Sequence, residues 1–301
     1  MGKTRPHRLL DTGGILALIS RGEEHVERLS INGAELEVDE AGSGEPLLLI
    51  HGSIIGDAYK PLLSEPKLTE RYRVVHYHRR GFNGSSRAPQ PFSIPDQAKD
   101  ALAVIRTVFG GRAHVAGHSY GGAIALQLAL DAPDSVVSIA LFEPALLTVP
   151  AGAAFAEGAG AIVATFASGD AEGAIDGFLK AALELDDCRT ASDGALPAGW
   201  FEQAVADADT FFNVEFPAIG EWDFTPEMAA RIRQPVLAVL GAQSGPVFQQ
   251  GHERLKAWIP QCEGFVLPGA THGLQYMNPS GAASGLAAFL ARHPMPAQPV
   301  A

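Results

Sequence analysis

Short apolar runs alternate with stretches of helical period along most of this chain. The runs lie at 29–39, 47–50, 73–77, 113–117, 136–142, 236–240 and 264–267. The later ones are continuous rather than alternating, which marks strands buried on both faces. Helical spacing of apolar positions fills 55–64, 95–107, 120–131, 249–258 and 279–292. This order predicts an α/β fold, with a mostly parallel central sheet covered by helices. Asn32-Gly33 predicts an antiparallel hairpin at one edge.

One segment breaks the rhythm. Residues 145–233 are helical in pattern and rich in alanine and aromatics, with breakers at Gly169, Gly194, Pro197 and Pro217. An insertion of this size between two strands reads as a helical cap over the strand C-terminal ends, where ligands sit in open α/β sheets. Trp200 and Trp222 are its candidate pocket residues. The expected division is an N-terminal extension at 1–28, a core at 29–144 and 234–293, the cap at 145–233 and a flexible tail at 294–301.

Composition narrows the function classes. Of 301 residues, 47% are hydrophobic, enough for one large core with an insertion. The net charge of −12 comes without any basic run, so neither nucleic acid nor an anionic membrane is an expected partner. No stretch approaches the length of a membrane span. Lys3, Arg5 and Arg8 precede a short apolar run at 13–19, but Asp11 interrupts it and no small-residue cleavage site follows. A short packing helix is expected there. Pro6 removes Gly2 as a myristoylation site. The two cysteines, Cys188 and Cys262, lack metal-ligand spacing and read as two isolated buried thiols, with a single disulfide as the alternative; free thiols suit a cytoplasmic location.

The most informative stretch is Gly117-His118-Ser119-Tyr120-Gly121, between an apolar run and a helical one. Strand, sharp turn with serine, helix is the context of a G-x-S-x-G nucleophile elbow. The turn is so tight that the positions two before and two after the serine must be small, and both are glycine. It presents Ser119 at a helix N-terminus, beside free N–H groups. A serine hydroxyl needs a base, and the base needs an orienting acid. The best base is His272, in the loop between the last strand and the last helix. Of the other histidines, His51 and His118 read as structural, His76 and His114 fall in strands, and His7, His25, His252 and His293 read as surface. The run 47–50 ends in His51-Gly52-Ser53, so the expected oxyanion donors are the N–H groups of Ser53 and Tyr120, with Gly52 N–H as the alternative to Ser53.

These features together resemble the α/β-hydrolase superfamily. Four motifs stand in its order across about 29–293: His51-Gly52, the loop His78-Arg79-Arg80-Gly81-Phe82-Asn83-Gly84-Ser85, the elbow at Ser119, and His272. The loop is similar to the family's D-x-R-G-x-G-x-S, with His78 where aspartate is usual and Arg80 expected to brace it. In this order the helical cap is inserted after the strand that follows the elbow. The resemblance also implies a triad acid, and here the chain departs from the common pattern. The turn that usually carries an aspartate reads Gly241-Ala242-Gln243-Ser244. Glu143, at the end of the strand after the elbow helix, is the natural candidate, with Pro144 expected to hold it extended. Zearalenone-type lactonases resemble this chain at that position. Asp223 and Glu221 are the outside candidates.

The reading is a serine hydrolase of a bulky, mostly apolar carboxylic ester or lactone, a small molecule, with no metal or organic cofactor. A carbon–carbon bond hydrolase or a perhydrolase would keep the same triad. A ligand receptor on the hydrolase scaffold is the alternative outside enzymology. Dehalogenases and epoxide hydrolases of this fold would need a carboxylate in place of Ser119.

Overall fold

The computed structural model describes residues 27–87 and 91–296. The packing helix expected near 13–19 and the tail from 297 onward lie outside these residues. One eight-stranded sheet runs through the molecule in the order β1-β2-β4-β3-β5-β6-β7-β8. The strands are β1 (Glu27–Ile31), β2 (Ala34–Gly42), β3 (Glu45–Ile50), β4 (Tyr72–Tyr77), β5 (Ala113–His118), β6 (Val136–Phe142), β7 (Val236–Gly241) and β8 (Cys262–Leu267). β1 and β2 form the hairpin at the edge; Asn32 and Gly33 turn it at φ 47° and 77°. That is the left-handed conformation a two-residue hairpin loop requires. From β3 onward every pairing is parallel apart from the β2–β4 seam.

Short helices α1 (Lys60–Leu63) and α2 (Pro66–Thr69) follow β3, after a 3₁₀ turn at Gly56–Tyr59. α3 (Ile94–Phe109) starts at a capping box, in which Ser93 and Asp96 satisfy each other's backbone N–H. α4 (Tyr120–Asp131) follows β5 directly. Between β6 and β7 come α5 (Gly152–Ala167), α6 (Ala171–Leu183), α7 (Cys188–Ser192), α8 (Trp200–Ala206), α9 (Ala208–Thr210), a π-helical turn at Phe211–Glu215, α10 (Phe216–Glu221) and α11 (Pro226–Ala229). The chain ends with α12 (Pro246–Trp258), α13 (Leu274–Met277) and α14 (Pro279–Arg292).

Burial follows the sheet's two faces. Leu48, Ile50, Val75 and Val115 pack against α3 and α4 on one side. Leu47, Leu49, Val74 and Ala116 pack against α13 and α14 on the other. This is why these strands read as unbroken apolar runs. A third cluster joins Ile54, Ile55 and Ala58, beyond β3, to Leu179, Phe211 and Phe212 of the inserted helices. The insertion is thereby seated over the C-terminal ends of the strands. Both cysteines are free thiols, Cys188 buried and Cys262 partly so. No helix among the described residues is long and apolar enough to cross a membrane. Of the expected tail, 294–296 is described, and Met295 N–H donates to Glu45 at 2.9 Å.

Candidate active site

The elbow is built by what it excludes. Ser119 sits between β5 and α4 at φ 52°, a strained value for a residue with a side chain. A methyl group on Gly117 would stand 2.3 Å from the carbonyl of Gly121, and one on Gly121 would stand 2.2 Å from that of Ile50. Gly122 is small for a further reason: a methyl there would meet Pro144 at 2.7 Å, where the chain leaves β6. The elbow, the β3 loop and the exit of β6 therefore interlock only through glycines.

His272 meets Glu143. Its Nδ1 lies 2.6 Å from Glu143 Oε2, in a pair excluded from solvent, with Glu143 only 2% exposed. The other oxygen, Oε1, accepts the N–H of Gly241 at 2.7 Å. Glu143 is not extended as Pro144 led us to expect; its φ is 45°. Two hydrogen bonds to one carboxylate hold the turned backbone against the preference that proline imposes on its predecessor. The turn 241–244 brings no acid, and Ser244 is buried there with its hydroxyl unpartnered. Glu221 ends α10 and Asp223 lies just beyond it, and among the described residues neither hydrogen-bonds or ion-pairs with His272.

Two further rings fix the imidazole. Phe248, in the first turn of α12, stacks on it at 3.7 Å between centroids and 11° between planes. His118 lies 4.7 Å away on another side, its Nε2 2.8 Å from the carbonyl of His272. Burial, and then the neighbouring His272, push His118 well below the usual histidine range. It stays neutral, and Nε2–H donates to that carbonyl. Sequence reasoning missed Phe248, since a lone aromatic at a helix start carries no signal.

The loop after β3, which carries Ser53, is held from behind. Arg79 is 1% exposed and donates to the carbonyls of His51 at 3.1 Å and Gly52 at 2.8 Å, to Gln97 at 2.6 Å, and to Glu215. His51 Nδ1 also reaches the Gly52 carbonyl at 2.6 Å, while its Nε2 accepts the N–H of Arg79 at 2.9 Å. Burial, then the Arg79 charge, hold His51 well below its ordinary pKa, so it too is neutral. The expected brace, Arg80, faces elsewhere: it pairs with Asp100 and bonds the carbonyls of Ile31 and Asn32. Its neighbour Arg79 is the residue that reaches the loop, because successive side chains at a strand end point to opposite sides. Tyr120 opens α4, where an N–H has no carbonyl one turn back to bond.

His78, at the position where the resembled loop pattern has aspartate, reverses the local charge. Its Nε2 lies 2.8 Å from Asp57 and its Nδ1 3.0 Å from Glu37. Burial opposes its protonation, but the two carboxylates outweigh burial and raise its pKa. Asp57, despite its own burial, is drawn down to about 2 by His78.

Ser119 and His272 face two joined lobes, which also share Ser53, Phe178 and Ala182. One lobe is narrow, with a cavity volume of about 30 Å³, and is lined by Ile54, Ile55, Leu183 and Tyr276. The other, about 40 Å³, is lined by Phe155, Phe211, Phe216 and Phe248. No Asp, Glu, Lys or Arg lines either lobe. The two tryptophans are elsewhere. Trp200 is buried within the inserted helices, edge-on to Phe201. Trp222 packs on the main core, bonding Gln127 of α4 through Nε1 at 3.0 Å. Bulk and hydrophobicity bring both tryptophans to apolar contacts, but here those contacts are in the scaffold. His252, expected on the surface, is buried on the inner side of α12.

Residues 45–279 match the family described as alpha/beta hydrolase fold. The chain belongs to the α/β-hydrolase family. Among its relatives is the dihydrolipoyllysine-residue acetyltransferase component of an acetoin cleaving system from Pseudomonas putida. The two are 33% identical over 121 residues, 40% of this chain and 32% of the relative. A fluoroacetate dehalogenase from a Burkholderia species is 36% identical over 110 residues, 34% of this chain and 35% of the relative. This α/β hydrolase thus spans about a third of the length of these two curated relatives. An esterase from Thermogutta terrifontis shares the fold at a TM-score of 0.73 and 18% identity, over 90% of this chain and all of that one.

Proposed function

We propose that this α/β hydrolase is an enzyme that cleaves a neutral, apolar carboxylic ester or lactone through an acyl-enzyme on Ser119. The observation that carries the reading is the buried contact of 2.6 Å between His272 Nδ1 and Glu143, opening onto the cleft that holds Ser119. A carboxylate at that distance fixes the imidazole as the tautomer protonated on Nδ1, which leaves the lone pair on Nε2.

The steps then follow. Nε2 takes the proton of Ser119 as the hydroxyl oxygen attacks the carbonyl carbon. The carbonyl π pair moves to oxygen, which the N–H groups of Ser53 and Tyr120 stabilise; removal of one such donor typically costs about 2.7–4 kcal/mol. Glu143 stabilises the imidazolium without taking its proton. The tetrahedral intermediate collapses, the C–O bond breaks, and Nε2–H protonates the departing alkoxide. Water, deprotonated by the same nitrogen, attacks the acyl-enzyme, and the carboxylic acid and free Ser119 are released. The two lobes meet at Ser119, so one takes the acyl side of the scissile bond and the other the alcohol side. Their apolar lining favours a substrate without charge.

The test is labelling with a fluorophosphonate probe, then turnover of neutral aryl esters and aliphatic lactones. Wild type should label with one equivalent of probe. Ser119→Ala should fold, resist the probe and lose nearly all turnover. Full activity in Ser119→Ala would end the serine mechanism.

A further inference from the structure

Arg79 and Glu215 form an ion pair that solvent does not reach: Glu215 is 0% exposed and Arg79 1%. The pair joins residues 136 positions apart, Arg79 just beyond β4 and Glu215 in the π-helical turn of the inserted helices. A pair that served only to clip the insertion to the core could sit anywhere on the seam. This one is placed on the loop that approaches the nucleophile. A methyl group on Gly52 would stand 3.1 Å from Ser119 Cβ, which shows how close that loop comes.

The two ends of the pair hold the two residues that share one peptide group, Arg79 the Gly52 carbonyl and Glu215 the Ser53 hydroxyl. The Gly52 carbonyl accepts Arg79 Nη2–H at 2.8 Å and the His51 ring at 2.6 Å. Among the described residues every peptide bond is trans. In a trans peptide the N–H points opposite the carbonyl. Holding the Gly52 carbonyl back into the core therefore turns the Ser53 N–H outward, toward the cleft that Ser53 lines. Glu215 completes the clamp from the other side: its Oε2 accepts the Ser53 hydroxyl at 2.6 Å. Its charge also holds Arg79 in place. The Arg79 guanidinium lies 5.0 Å over the ring of Tyr120, the residue that carries the second N–H. A buried guanidinium left with only neutral acceptors is poorly compensated, so its grip on the two loop carbonyls depends on Glu215.

We infer that Glu215 is a positioning residue by which the inserted helices set the direction of the Ser53 N–H, so that the oxyanion site is complete only when they are seated on the core. The inference rests on the serine-hydrolase reading and deepens it. Glu215 does not touch the reacting atoms. It acts through Arg79 and the Ser53 hydroxyl, and the insertion thus contributes to the rate as well as to the shape of the cleft.

The experiment compares wild type, Glu215→Gln and Ser53→Ala as full-length proteins, with a fluorophosphonate probe and a neutral aryl ester. Loss of a donor costs about 10²–10³ in kcat, and a misdirected donor costs less, about 10- to 100-fold. Glu215→Gln should lower kcat and the probe's inactivation rate by about that factor, with KM within about threefold of wild type. Affinity for an aryl trifluoromethyl ketone, whose adduct carries the oxyanion, should fall in step with kcat. Ser53→Ala keeps the backbone N–H and removes the hydroxyl bond, so it should show a smaller fall of the same kind at nearly unchanged Tm. It decides the matter if Glu215→Gln fails to fold. Wild-type kcat and inactivation rate in folded variants, or a rise in KM alone, would overturn the inference. A wild type that resists the probe, with Ser119→Ala fully active, would overturn the serine-hydrolase reading and this inference with it.

Discussion

Glu143 is held by two partners at once, and its replacement separates two effects. Glu143→Gln keeps the shape and an acceptor for Gly241 N–H but removes the charge that faces His272. On the proposed serine mechanism turnover should fall by about 10²–10⁴ while the fold survives, the range expected when a catalytic triad loses its acid. Steady-state kinetics beside a thermal melt checks both. His78 allows a prediction in pH. Its pKa is raised in the fold, so its stabilising contribution is complete below the unfolded value of about 6.5 and is lost as pH rises through the raised value. The loss of Tm in His78→Asn should therefore be larger near pH 6 than near pH 9. An equal loss at both would show that the Asp57 and Glu37 contacts do not depend on its charge. Single residues of this kind were partly legible in the chain. Ser119 and His272 stand in local contexts that few other positions share. Glu143 emerged because the usual turn lacks an acid, although its turned backbone did not. Arg79 was not separable from Arg80, because adjacent arginines look alike until the strand assigns each a side.

Among elements, α6 governs the cleft. Phe178 projects from it into both lobes, packed at 4.5 Å between ring centroids on Phe211. Phe178→Ala should widen both lobes where they meet and shift preference toward bulkier acyl or alcohol groups. Pocket contacts of this size discriminate by about 10- to 200-fold. A panel of aryl esters of increasing chain length would reveal the shift as a change in rank order; uniform loss across the panel would contradict it. The strands and the helices of the core were readable because their periods are set by burial on known faces. The inserted helices were readable as helices only. Their aromatics are numerous, and hydrophobicity alone does not say which face the cleft and which face the scaffold. Trp200 and Trp222 drew attention by size, yet phenylalanines do the lining. The contact of Glu215 with Arg79 left no trace in any local window, since it depends on how a π-helical turn meets a strand end far away in sequence.

At the scale of the whole molecule, surface and cleft differ in character. The chain carries a net charge of −12, and no charged side chain lines the lobes beside Ser119. An anionic substrate meets repulsion on approach and finds no partner on arrival. A neutral aryl ester should therefore exceed its carboxylate-bearing analogue in kcat/KM by more than about tenfold, and added salt should narrow the gap only on the approach side. Equal values would imply a cation in the cleft. The glycines of the elbow carry a different consequence, for how the sequence can vary. Gly117, Gly121 and Gly122 adjoin the first turn of α4, the end of β3 and the exit of β6 respectively, and a single methyl at any of them collides with backbone or with Pro144. A replacement at one position cannot be accommodated by its neighbour, because the obstructing atoms belong to three separate stretches of chain. These positions are therefore closed to stepwise drift, whereas the cleft's phenylalanines remain open to it. A lineage built on this scaffold can change what it accepts, one aromatic at a time, without ever revising how it presents its serine.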